Sequence, residues 1–306
     1  MSYPLVSIII AAFNGEKFIQ HSLKSCLTQT YPHLEILVVD DKSTDNTAEI
    51  VKEYEKKDSR VRLILHDQNK GVAGARNTGI ANSQGEYIQL FDQDDLMFPY
   101  KIEYSLKFMQ KYPSIGISYG DYFTWLVKQS RNIYSKTYSP IPKPKIYRMH
   151  FSGCVLSLGT TLIKKEVFET IGILDEDLSG VDDFDFWCRA VQFFPIGKLE
   201  APLYIYRVHD QNQIFNAQKQ RHRVDYACLK HLWSLPPEEL FSDYLHYKEP
   251  FRNEIIANEY ITLSKETLKR PDTPYDTALE MLKIANKISP SHDKQSQIRD
   301  LSRKNP

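Results

Sequence analysis

Four short apolar runs separated by stretches of helical length dominate the first hundred residues, and few folds accommodate that alternation. Residues 6–12, 34–39, 61–65 and 87–91 read as buried strands. Between them, residues 16–28 place Phe18, Ile19, Leu23, Cys26 and Leu27 on one helical side. Ser43, Thr44 and Asp45 supply capping chemistry for a helix to about Lys57, and residues 73–83 form a third helix. This pattern predicts an α/β fold with a mainly parallel central sheet covered by helices. Ligands of such sheets bind at the carboxyl ends of the strands.

The punctuation falls at those ends. Ala12-Phe13-Asn14-Gly15, Asp40-Asp41-Lys42-Ser43 and Asp92-Gln93-Asp94-Asp95 each follow a strand, so three polar, largely acidic turns gather along one edge. Acids scattered for solubility would not collect there. The last turn carries three carboxylates within four positions. Unpaired carboxylates taken from water cost several kcal/mol each, which a hard divalent cation such as Mg²⁺ or Mn²⁺ relieves. Asp92 and Asp94, two apart, point the same way on an extended strand, and Asp95 points elsewhere. Taken alone, the same residues also suit a solvated acidic turn ahead of Pro99.

Two nucleotide fingerprints are missing. The turn after the first strand lacks GxGxxG, which weighs against a dinucleotide dehydrogenase, and Lys70-Gly71-Val72-Ala73-Gly74-Ala75-Arg76 is not a Walker A loop. The 39 basic and 39 acidic residues balance, so nothing draws the chain toward nucleic acid or an anionic membrane. Four scattered cysteines suggest core thiols in a reducing compartment rather than a zinc or disulfide framework. The amino terminus does not read as a signal peptide, and no apolar run approaches the roughly 20 residues that span a bilayer. A cytoplasmic location is expected, with peripheral docking at the inner membrane face left open.

Further along, residues 99–112 read as helix and 116–123 as strand. Residues 128–144 read as an irregular loop over the cleft. A strand through 160–163 and a helix over 164–171 follow. Asp182-Asp183-Phe184-Asp185-Phe186-Trp187-Cys188-Arg189 opens another helix, to about Phe194, and 203–208 forms a short strand ending at His209. From residue 216 helical spacing takes over, in 223–232, 251–268 and 275–288, with a polar tail after Pro290 expected to fray. Two domains are expected, 1–215 and a helical extension, 216–306.

Val6-Ser7-Ile8-Ile9-Ile10-Ala11-Ala12-Phe13-Asn14, Val38-Val39-Asp40-Asp41-Lys42-Ser43-Thr44-Asp45, Gly71-Val72-Ala73-Gly74-Ala75-Arg76-Asn77 and Asp92-Gln93-Asp94-Asp95, in this order, closely resemble the family 2 glycosyltransferases. The resemblance covers residues 4–215 or so. It implies the GT-A fold and inverting transfer of a sugar from a nucleoside diphosphate to an acceptor hydroxyl, with Mn²⁺ or Mg²⁺ as cofactor. By that match Ala11, Ala12 and Phe13 contact the nucleotide base, and Asp41 accepts the imide N–H of uracil or thymine, pointing to a UDP- or dTDP-sugar. Arg76 lies near the diphosphate. Asp92 sits by the ribose or metal and Asp94 is a direct metal ligand, with Asp95 a second candidate. The stretch from Asp182 to Arg189 resembles the family's ED-x-D-x-W-x-R segment, which implies that Asp183 is the base that takes the acceptor proton and that Asp182 and Asp185 orient groups or raise its pKa. His209 ligates the metal or contacts the diphosphate. Trp187 and Arg189 are supports, or Trp187 borders the acceptor cleft.

Blander roles stand beside these. Asp41 and Asp183 would also serve as acids at helix starts, Arg76 as a surface arginine, and His209 as a hydrogen-bonded structural residue. Two departures mark this chain, Lys42 for the glycine common after the paired aspartates and Asp182 for the more usual glutamate. The expected partners are the nucleotide-sugar donor and a glycan or lipid-linked acceptor in cell-surface polysaccharide synthesis, without nucleic acid; a homo-oligomer is admitted. Competing functions are a metal-dependent phosphohydrolase and a non-catalytic nucleotide-sugar-binding scaffold.

Overall fold

The computed structural model describes residues 3–135, 156–178, 180–210, 212, 248–268 and 275–304. They fall into two compact units, one ending at residue 212 and one starting at 248. The boundary expected between 215 and 216, and the helix expected over 223–232, lie outside the described residues.

In the first unit β1 (Val6–Ala12), α1 (Ile19–Leu27), β2 (Leu34–Asp40), α2 (Thr47–Glu55), β3 (Val61–Leu65), α3 (Gly71–Asn82) and β4 (Tyr87–Asp92) alternate. There follow β5 (Leu96–Met97), α4 (Lys101–Lys111), β6 (Ile117–Leu126), β7 (Arg131–Ser135), β8 (Leu162–Lys164), α5 (Lys165–Ile171), α6 (Asp182–Phe193) and β9 (Ile196–Val208). The strands form one sheet in the order β3-β2-β1-β4-β8-β6-β9-β5, with β7 paired to β6. β1 pairs in parallel with β2 on one side and β4 on the other. The chain therefore winds outward from β1 to β3, then crosses back to β4. A crevice at the carboxyl ends is expected where the winding reverses, between β1 and β4.

Strands buried on both faces explain the unbroken apolar runs. Ile8, Ile10 and Phe91 pack with Ile19 and Leu23 of α1 and Ile102 and Leu106 of α4. Ile9, Leu37 and Leu90 pack on the other face with Ala73 and Ile80 of α3 and Phe186 and Trp187 of α6. Helix α3 approaches unusually closely, because a Cβ on Gly79 would stand 2.2 Å from Ile9 Cγ2. That closeness sets Arg76, one turn earlier, beside the end of β4.

Several expectations are corrected. Part of the loop expected from residue 128 is a hairpin: Ser130 adopts φ 47° and Arg131–Ser135 pairs antiparallel with β6, from Leu126↔Arg131 to Tyr122↔Ser135. The rest of that loop, after 135, lies outside the described residues. The short strand expected over 203–208 is the distal half of β9. This strand carries Pro202, which has no N–H to donate, opposite register shifts around Asp121. The two-residue β5, which pairs antiparallel with β9, has too little pattern to be read from sequence. Strands β5, β7 and β8 make the second half of the sheet mixed rather than parallel.

In the second unit, α7 (Phe251–Leu268), α8 (Tyr275–Ile288) and α9 (His292–Lys304) pack on one another. The tail expected to fray is helix α9, whose Leu301 joins Ala278 and Leu282 in a small apolar cluster.

Candidate functional site

The turns after β1, β2 and β4 are laced together. Gln93 accepts from the Phe13 amide at 3.0 Å and donates to the Phe13 carbonyl at 2.9 Å. Asn14 accepts from the Thr44 amide at 2.8 Å, and its own N–H donates to Ser43 Oγ at 2.9 Å. The Asp41 amide donates to the Ala12 carbonyl at 2.7 Å. Lys42, which stands where a glycine is usual, keeps the glycine-like backbone at φ 65°. A left-handed residue of this kind costs about 1–2 kcal/mol. Phe13 is left 46% exposed, a free aromatic face at the β1 end of the switch point, while Ala11 and Ala12 are packed into the strand.

Arg76 is no surface arginine. It is 7% exposed, and its fork spans 2.7 Å to Asp182 Oδ2 and 2.6 Å to Asp92 Oδ1. Burial works against its charge, but Asp182, Asp92 and Asp183 together raise its pKa above the ordinary arginine value. One side chain on α3 thus joins the end of β4 to the start of α6, which lies 106 residues along the chain from Arg76. Asp182 also accepts the Gly180 amide at 2.9 Å. Beside it, Asp183 is half-buried, with one oxygen accepting the Phe184 amide at 2.8 Å. Burial, then the Asp182 charge, push the Asp183 carboxyl up to about 7 against the pull of Arg76.

The expected ligands Asp92, Asp94 and His209 do not converge on one point. Asp92 is turned to Arg76, so a guanidinium rather than a metal ion offsets its charge. Burial still pushes its pKa upward. Asp94 Oδ2 instead meets His209 Nε2 at 2.9 Å and Asn212 Nδ2 at 3.2 Å. The His209 ring stacks on Phe18 at 4.1 Å. Among the described residues no three His, Cys, Asp or Glu side chains gather as a metal cage. Asp94 and His209 nonetheless form a two-donor set of hard oxygen and imidazole. That fits a divalent ion that completes its shell with water and substrate phosphate.

β4 ends at Asp92 and residues 93 and 94 form a turn, so Asp92 and Asp94 do not point the same way as an extended strand would have them. Strand alternation does not set the direction of Asp95 either. Asp95 is 2% exposed, accepts the Arg207 amide at 2.8 Å, and burial and the Asp94 and Asp92 charges raise its pKa well above the carboxylate range. Arg207 lies 5.1 Å over the Phe18 ring and donates to the Asp94 carbonyl and to Ser22 Oγ. Both hold the acidic turn in place. Trp187 does not border a cleft: it is fully buried in the core. Asp185 is paired with Arg189 at 2.8 Å, which in turn donates to the Ile171 and Ile173 carbonyls, a support for α6.

Sequence reasoning passed over His66 and Asn212. His66 Nδ1 lies 2.7 Å from Asp41 Oδ1. It directly follows β3, so the rule that singled out the other three turns would have found it. Asn212 carried no such signal, since its place depends on how β9 ends.

The chain matches the family model Glycosyl transferase family 2 over residues 7–172 and belongs to that family. It is 32% identical over 292 residues to an uncharacterised glycosyltransferase of Rickettsia felis, an alignment covering 91% of this chain and 44% of the relative's length. Among solved structures it resembles S. aureus TarS 1-349 in complex with UDP-GlcNAc, with TM-score 0.66 and 17% identity over 97% of this chain and 89% of that one. It also resembles the mannosyltransferase PcManGT from Pyrobaculum calidifontis in complex with GDP-Man and Mn²⁺, with TM-score 0.57 and 18% identity over 98% of this chain and 84% of that one. The fold is that of the GT-A glycosyltransferases.

Proposed function

We propose that this glycosyltransferase moves a sugar, with inversion, from a UDP- or dTDP-sugar to an acceptor hydroxyl, and that Asp183 is the base. The observation carrying this is the Asp92–Arg76–Asp182 bridge. It sets Asp183, its carboxyl pushed up to about 7, at the rim where the acidic turns collect. A base works best when its pKa lies near the working pH. As the acceptor oxygen bonds to the anomeric carbon, its proton passes to an Asp183 oxygen. The bond from that carbon to the diphosphate breaks on the opposite side, and the nucleoside diphosphate leaves.

Phe13 offers a flat apolar face to the base, and Asp41 a carboxylate to its N–H. Arg76 holds Asp92 and Asp182 in register, so it acts on the diphosphate through them or from beside them. Asp94 and His209 are the residues that would hold Mn²⁺ or Mg²⁺, and PcManGT's complex with Mn²⁺ supports that assignment. When bound there, such an ion supplies Lewis-acid stabilisation of the departing diphosphate.

A soluble donor places the reaction in the cytoplasm, and a lipid-linked or growing surface glycan as acceptor would draw the protein to the inner membrane face. Among the described residues no helix is long and apolar enough to cross a membrane.

The test is thermal shift against UDP-, dTDP-, GDP- and CMP-sugars, each with and without Mn²⁺. Ligand binding to the native state alone raises its stability, by about 2.7 kcal/mol at a hundred times Kd. A Mn²⁺-dependent rise with a UDP- or dTDP-sugar is expected; no shift with any sugar nucleotide overturns the proposal. Rapid phosphate release without acceptor would favour the phosphohydrolase instead.

A further inference from the structure

Asp41 does not offer a whole carboxylate. Its Oδ1 accepts twice, from His66 Nδ1 at 2.7 Å and from the Lys70 amide at 2.8 Å. Oδ2 accepts no hydrogen bond among the described residues, and it is not one of the sealed, unpartnered atoms of the core. His66 is itself clamped. Its Nε2 lies 2.9 Å from Thr78 Oγ1 on α3, its backbone N–H donates to the Asp40 carbonyl at 3.0 Å, and its side chain is 5% exposed. A carboxylate only accepts, so Nδ1 is the donor of the pair. Imidazole and amide together pin one oxygen of Asp41 and fix the plane of the group.

We infer that His66 is a positioning residue that turns Asp41 into a one-oxygen acceptor, and that this selects uracil or thymine over guanine and cytosine. The inference rests on the reading of Asp41 as the residue that meets the base. Uracil and thymine present a single imide N–H between two carbonyls, which one oxygen satisfies. Guanine presents two adjacent donors, N1–H and N2–H₂, which a carboxylate matches with both oxygens. With Oδ1 occupied, one of those donors is left without its partner. Cytosine presents a lone pair at N3, which faces Oδ2 acceptor to acceptor. The fold itself does not choose, since its neighbours include a complex with UDP-GlcNAc and a complex with GDP-Man.

The experiment is calorimetric titration of the full chain with UDP, GDP and CDP in excess Mn²⁺. Diphosphate and metal contributions are common to the three and cancel in the ratios. A hydrogen bond to a charged group is worth about 1.5–3 kcal/mol, so wild type should prefer UDP by about tenfold or more over each competitor. His66→Leu, which frees Oδ1 and lets the carboxylate turn, should cut the UDP:GDP ratio by about tenfold. His66→Asn, whose amide N–H₂ can stand where Nδ1 stood, should restore most of it. Thr78→Val, which unclamps the ring away from the base, should narrow the ratio less, and it carries the test if His66→Leu does not fold.

A purely structural role would lower the melting temperature of the variants and weaken all three nucleotides alike, leaving the ratio unchanged. That result overturns the inference. A wild-type chain that binds the three nucleotides equally also overturns it while leaving sugar transfer standing. One that binds none of them removes the reading of the site on which it rests.

Discussion

Two of the cations buried in the first unit, Arg76 and Lys101, lie on opposite faces of the sheet and are treated in opposite ways. Arg76, on α3, is gripped by two carboxylates, Asp92 and Asp182. Lys101, on α4, is fully buried and meets only neutral acceptors: its Nζ donates to Gln89 Oε1 and to the Thr161 carbonyl at 2.8 Å. Burial accordingly holds the Lys101 pKa well below the usual lysine value, while the acids around Arg76 hold its charge in place. A buried amine that can shed its proton closes a core. A guanidinium that cannot, set between an acid at a strand end and an acid at a helix start, keeps a fixed positive charge where the proposed reaction would bring an anionic ligand and a proton transfer. The difference separates a packing residue from a site residue more sharply than burial does.

Truncating the two cations should therefore have different consequences. Arg76→Met leaves Asp182 buried without its partner, and breaking such a pair costs about 3–5 kcal/mol. Chemical denaturation should show that loss, and transfer should vanish with it. Lys101→Met leaves Gln89 Oε1 and the Thr161 carbonyl without a donor, at about 1–3 kcal/mol, and kcat/KM should stay at the wild-type value. Lost activity in a folded Lys101→Met protein would break the contrast.

Protons sharpen it further. Asp183 has a folded pKa of about 7, raised from the ordinary carboxylate value by burial and by Asp182. The folded chain then keeps a proton that the unfolded chain has already released. The resulting stabilisation is complete below the unfolded value near 4 and is lost as pH rises through about 7. Urea denaturation across that window should show stability falling with pH, and Asp183→Asn should flatten the slope. Catalysis runs the other way, because the base acts deprotonated. The kcat/KM profile should climb below about 7 and level off above it.

Half of the architecture was legible because parallel strands buried on both faces write themselves as unbroken apolar runs, β1 to β4 among them. The second half was legible only in part: β6, β8 and β9 overlap strands expected over 116–123, 160–163 and 203–208, but β5, β7 and the antiparallel pairings were not legible. Leu96–Met97 is too short to carry a period, and the hairpin strand Arg131–Ser135 lay inside a stretch whose prolines and tyrosines read as loop. At the site, the acidic turns after β2 and β4 followed from the strand ends, and the choice of Asp41, Asp92, Asp94 and Asp183 from the family resemblance, whereas their partners followed from neither. Arg76 meets Asp182, and Asp94 meets His209, across more than a hundred residues each, and pairings of that range depend on the closed fold. The family match ends at residue 172, ahead of both Asp183 and His209. Asp183 therefore rests on its local motif and on the geometry around Arg76, and His209 on its contact with Asp94.

The most direct measurement of the central claim is single-turnover sugar transfer by Asp183→Asn, paired with titration of the donor into the same variant. Donor binding close to wild type, with transfer reduced by about 10²–10⁴-fold, is the predicted result. Transfer at the wild-type rate in that variant would contradict the assignment of Asp183, and with it the account of why Arg76 and its acids are buried at this edge.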